Sequence, residues 1–198
     1  MRALRHFPLL RRLAGDLERG RRDRRGIAAV ELALASPILL SLFIGTTEIA
    51  HFLSVHYQAS QMASTVADAV ARYDMVSSVD IQEILEVSST VMGAGDFSSK
   101  GVVILSAVNK VKATDAPIVA WQCKGGGSLV QSSRIGRKLG AATLPGSLVL
   151  DTADNVVVAE VFYRYSPLFS LIPIPDQFVY KNAVFRPRLG ALTTASGC

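Results

Sequence analysis

From Ile27 to Thr47 the chain reads IAAVELALASPILLSLFIGTT, 21 residues in which Glu31 alone is ionisable. Wound as a helix at ~1.5 Å per residue, this run is about 31 Å long, one bilayer core. A helix in the core of a water-soluble domain is rarely apolar on all faces, as this one is. The sequence therefore predicts a membrane-inserted helix. Two residues need an account there. A carboxylate such as Glu31 costs a few kcal/mol inside a span, by about the insertion-scale penalty, and marks a functional site by default. Pro37 removes a backbone hydrogen bond and bends or unwinds a helix unless other groups satisfy the freed carbonyl.

Charge around the run sets a direction. Residues 1–25 hold nine arginines against Asp16, Glu18 and Asp23, a net of +6. The whole chain carries +5, so everything after residue 25 sums to −1. The sequence pI near 9.5 thus describes the leader and not the body. Nucleic-acid binding asks for a basic surface on the folded part, so no nucleic-acid partner is expected. Arginines beside a span stay cytoplasmic, which sends the C-terminal side across the membrane. A secretory signal peptide fits poorly. Ala33-Leu34-Ala35 has the small-residue spacing for signal peptidase, yet a cut there leaves most of the apolar run downstream.

Gly26 follows Arg24-Arg25 directly and precedes the run. A cut after Gly26 would make Ile27 the first residue and Glu31 the fifth. The new α-amine and the carboxylate can then neutralise each other between neighbouring helices, which removes much of the burial penalty. Basic residues, Gly, four apolar residues and Glu resemble the prepilin peptidase motif of type IV pilin-like proteins. The wider string of Gly26, Val30-Glu31, Ala33-Leu34, Pro37, Leu39-Leu40, Gly45 and Glu48 resembles the TadE-like family, the pseudopilins of tight-adherence (Flp) pili. The resemblance is dense over residues 24–73. It implies a minor pilin-like protein made as a precursor, processed at Arg24, Arg25, Gly26 and Ile27, and assembled through Glu31 and Pro37. The implied partners are the inner membrane, a prepilin peptidase and other pilins or pseudopilins of the same system. The leader is long for the family, and Leu32 stands where an aromatic is frequent. A second reading is an uncleaved single-span anchor that holds a periplasmic scaffold or binding module.

Beyond Thr47 an apolar stripe continues at three-to-four spacing through Ile49, Phe52, Leu53, Tyr57, Met62, Val66 and Val70, predicting one helix to about Asp74. Ser77–Met92 reads as a second helix, with Asp80 and Glu83 as a capping box and Gly93 and Gly95 as its stop. Strand signals follow at Val102–Val108, Ile118–Cys123, Val156–Tyr165 and Phe178–Arg186. Gly125-Gly126-Gly127 reads as a turn or mobile loop, and Arg134–Lys138 as a short helix or a solvated loop. Leu168–Ile174 is apolar and is either core or, if exposed, a partner-contact patch. The expected fold class is α+β: a long N-terminal transmembrane helix packed on a C-terminal antiparallel sheet domain. The expected domains are a leader at 1–26, a span at 27–47, a helical continuation at 48–74 and a periplasmic or extracellular domain at 75–198.

No catalytic, cofactor or metal site is expected. His51 and His56 point about 140° apart on a helix. Glu48 and His51 have the i,i+3 spacing of a di-iron helix but lack a second pair, so they read as an interfacial helix face. Asp151, Asp154 and Glu160 are too spread to converge on calcium. No nucleophile–base pair can be named, so no enzyme is expected. Cys123 and Cys198 are either one disulfide or two unrelated thiols.

Overall fold

The structure is a computed structural model that describes residues 26–169 and 177–198. The chain divides into two compact units between Thr47 and Glu48. Helix α1 spans Ile27–Val70 without interruption, with Pro37 inside it. In the first unit its apolar side chains are exposed on every face, including Leu32, Leu34, Ile38, Leu42 and Phe43. Such a helix is long and apolar enough to cross a membrane once.

In the second unit the remainder of α1 has one buried face: Val55, Ala59, Met62, Ala63, Val66, Ala67 and Val70. The alanines at 59, 63 and 67 recur every four residues, which brings the helix close to the strands it covers. Those strands are β2 (Gly101–Asn109), β3 (Ile118–Gly125), β4 (Asn155–Tyr165) and β5 (Gln177–Phe185). They form one antiparallel sheet in the order β3-β2-β4-β5. Thus the α+β class and the packing of a long N-terminal helix on a C-terminal antiparallel sheet are as expected. Helix α1 stops at Val70, four residues short of the expected Asp74. Its last carbonyls close three-residue turns to Arg72 and Tyr73, and the Ala71 carbonyl accepts from the Arg188 amide instead of continuing the helix.

Strand β4 alternates between two cores. Val157, Ala159, Val161, Tyr163 and Tyr165 face α1. On the other face Val156 and Val158 pack against Ile135, Leu144 and Leu150 of the 126–154 connection. Residues 134–138 therefore form a loop, not a short helix, anchored by buried Ile135. Glu160 lies on this outer face and is fully buried. Its carboxylate accepts from the Ser133 hydroxyl, the Arg134 amide at 2.8 Å and the Tyr180 hydroxyl at 3.0 Å. The glycine run is a packed turn, not a mobile loop. Gly126 has φ +78°, and a Cβ on Gly127 would sit 2.2 Å from the Gly101 carbonyl oxygen.

Helix α2 (Ser78–Ser89) follows the two-residue strand β1 (Val76–Ser77), and helix α3 (Ala94–Lys100) follows a tight turn at Thr90–Met92. The capping box is Ser77 with Asp80, not Asp80 with Glu83. Ser77 has the extended backbone an N-cap needs (φ −105°, ψ 166°), and its amide donates to Asp80 Oδ2 at 2.8 Å. Gly93 ends the turn in the left-handed region, whereas Gly95 lies inside α3. Ser77→Ala is expected to cost about 1 kcal/mol, read as a lower urea midpoint with an unchanged slope.

A C-terminal strap closes the sheet's helix side. The Trp121 indole donates to the Leu192 carbonyl at 2.9 Å, and β6 (Ala195–Ser196) pairs parallel with β1. Cys123 on β3 is bonded to Cys198, with Cα atoms 5.2 Å apart.

Candidate functional site

Two constellations stand out, one in each unit. The first is the start of α1. Gly26 is exposed, with no atom within 4 Å of where a Cβ would lie, and Ile27 is the first residue of α1. Glu31 follows one turn later and is exposed, so Ile27 and Glu31 lie on one side of the helix. Arg24 and Arg25 lie outside the described residues.

Pro37 has its compensation nearby. It has no amide to donate to the Ala33 carbonyl one turn back. The Ser36 hydroxyl donates to that same carbonyl at 3.2 Å. The helix stays unbroken because an adjacent side chain replaces the missing donor. The other hydroxyls of the run are also turned onto the backbone: Ser41 donates to Pro37 O at 2.9 Å, Thr46 to Leu42 O at 2.8 Å and Thr47 to Phe43 O at 2.8 Å. These residues are polar in composition but present little unsatisfied polarity to a lipid phase.

The second constellation centres on Glu48, the first residue of the second unit, which is 1 % exposed. Its carboxylate accepts from the Tyr165 hydroxyl at the end of β4, from the Leu168 amide at 3.1 Å and from the Phe169 amide at 3.2 Å. The Tyr165 ring is flanked by Phe52, edge-on at 5.2 Å, and by His51 at 5.5 Å. The Tyr165 hydroxyl, against the cost of burial, holds the Glu48 carboxyl below its ordinary range, with help from the Phe169 and Leu168 amides and from His51. Burial and the adjacent carboxylate push the Tyr165 hydroxyl above its ordinary range.

This corrects the reading of Glu48 and His51 as an interfacial helix face. Glu48 points into the domain and holds the chain where it leaves β4. Nothing local announces this, because Tyr165 is 117 residues away. The one available signal was the presence of Glu48 in the family-like string. Leu168 is exposed, and residues 170–174 of the apolar stretch lie outside the described residues. Among the described residues no three His, Cys, Asp or Glu side chains converge in a way that could hold a metal.

Residues 26–68 match the family model described as TadE-like protein. The N-terminal helix is TadE-like. The TadE-like segment runs from Gly26 almost to the end of α1, so it includes Glu31, Pro37 and Glu48 and stops before the sheet. No curated protein and no solved structure matches the chain.

Proposed function

We propose that this TadE-like chain is a pseudopilin, a minor pilin-like subunit of a tight-adherence (Flp) pilus system, cut by prepilin peptidase after Gly26. The observation that carries the reading is the start of α1. An exposed glycine directly precedes a helix that is apolar on every face, with one carboxylate a turn inside. After cleavage the Ile27 amine of one subunit meets Glu31 of a neighbour, and the apolar faces of the two helices pack together. Glu31 is the assembly residue, and Pro37 is a point where the helix adjusts while Ser36 keeps its backbone bonded.

The proposed topology places the leader, with Arg24 and Arg25, in the cytoplasm and residues 48–198 in the periplasm. The Cys123–Cys198 bond supports this, because disulfides persist in oxidising compartments. The partners are the inner membrane, the peptidase and other pilins or pseudopilins.

The test is the N-terminal mass of the membrane-extracted protein from cells with an active prepilin peptidase. A chain that begins at Ile27 is the expected result. A chain that begins at Met1 overturns the processing step and leaves an uncleaved periplasmic anchor. Glu31→Ala is expected to abolish co-isolation with pilus components, and normal assembly of that variant would remove the role given to Glu31.

A further inference from the structure

An open groove runs beside the last turns of α1, walled by Ala69, Ile84 of α2 and Phe185 of β5. Arg72 and Arg188 stand on its rim, and both bond to Asp68, at 2.5 and 2.6 Å. Asp68 is 23 % exposed, whereas the two guanidinium side chains are 62 % and 59 % exposed. One carboxylate between two arginines leaves an uncompensated positive charge at the mouth of an apolar groove.

The complementary surface lies next to it on the same molecule. Helix α2 contains three acidic residues and no basic one. Asp80 is taken by the Ser77 cap, whereas Glu83 and Glu86 are exposed and have no ion pair among the described residues. At 100° per residue, Val79, Glu83, Glu86 and Val87 fall within about 100° of arc, and both valines are largely exposed. Ile84, which walls the groove, is the neighbour of this face. A cationic apolar groove therefore adjoins an anionic apolar helix face. A surface that carries both halves of a match in one patch is self-complementary, which is the requirement for a two-fold interface.

We propose that two copies of this chain associate through this patch, with the α2 face of each seated in the Arg72–Arg188 groove of the other. The contact lies wholly in the second unit and does not depend on cleavage after Gly26. Charge pairing sets the register, and Val79 and Val87 supply the apolar contact.

The test uses the full chain in detergent, with mass measured by analytical ultracentrifugation across concentration. One variant carries Glu83→Arg with Glu86→Arg; the other carries Arg72→Glu with Arg188→Glu. Each alone is expected to weaken self-association about tenfold or more. A mixture of the two is expected to restore it as a heterodimer, because each groove then faces an opposite charge. The first variant alters only exposed helix positions, and its circular dichroism checks that it is folded. Unchanged self-association of that folded variant, as an interface between the apolar helices would give, overturns the proposal. A monomeric parent protein also overturns it and leaves the groove to a different protein.

Discussion

Tyr165→Phe is expected to lower the stability of the second unit by about 1–3 kcal/mol, because it strands a buried carboxylate without its hydroxyl donor. The ring and its contacts with Phe52 and His51 remain, so the loss reports the hydrogen bond rather than a cavity. Glu48→Ala is expected to cost more. It leaves the Tyr165 hydroxyl and the Leu168 and Phe169 amides without their acceptor at once. Both variants are expected to change the acid limb of stability. The Glu48 carboxyl is held below its ordinary value of 4.5. Its contribution is therefore complete above that value and is lost as pH falls through the lower, folded value. Urea melts of the parent chain at pH 7 and at stepwise lower pH should show this loss, and Glu48→Ala should flatten it. Melts of Glu48→Ala and parent that superpose at pH 7 would remove Glu48 from the set of residues that hold the domain together.

Cys198→Ser is expected to destabilise the same unit by about 2–4 kcal/mol, since the bond closes a long loop in the unfolded chain. The sequence separation is 75 residues. The physical consequence extends past the bond. The strap from Arg186 to Cys198 is also held by the Arg186–Asp154 and Arg188–Asp68 ion pairs, the Arg188 amide on the Ala71 carbonyl, the Trp121–Leu192 hydrogen bond, the two-residue pairing of β6 with β1 and the Lys138 ammonium donating to the Cys198 carbonyl. Two residues of strand are too few to hold a segment alone. Trp121 is the sole tryptophan, so its emission is a clean probe. Release of the strap should shift that emission to the red as the indole exchanges the Leu192 carbonyl for water. A Cys198→Ser variant with parental emission and an unchanged midpoint would show that the core holds the strap without the bond.

These two groups differ in how far the sequence announced them. The cysteines were visible as a possible pair, since they are the only two in the chain, but their pairing depended on where β3 and the strap came to lie. Glu48 was visible as part of a family-like string and beside His51 on a helix face, and neither pattern pointed to its partners. Its partners are Tyr165 and two backbone amides from the far end of β4, and a hydrogen bond across 117 residues leaves no periodic trace. The same holds for Glu160, which the sequence offered as one of three acidic residues too spread to bind calcium. It is buried because the 126–154 connection folds over that face and brings Ser133 and the Arg134 amide to it.

Features that depend only on neighbours in the chain were legible before the fold was known. An all-round apolar run of bilayer length, a glycine before it and a carboxylate one turn in are local patterns, and helix periodicity translates them directly into a single exposed helix. Strand existence was equally local, because the β-branched run of β2 and the two-face alternation of β4 need no partner to be read. The cap at Ser77 was itself local, an S-x-x-D pairing with Asp80 on a residue of extended backbone. Tertiary structure decided the rest. It turned the glycine run into a packed seam against Gly101, and it ended α1 at Val70, where Arg188 takes the Ala71 carbonyl. The cap is a contact three residues long, whereas in these two cases segments distant in sequence meet at one hydrogen bond or one space. Their meeting is set by the sheet order β3-β2-β4-β5, which no local pattern encodes.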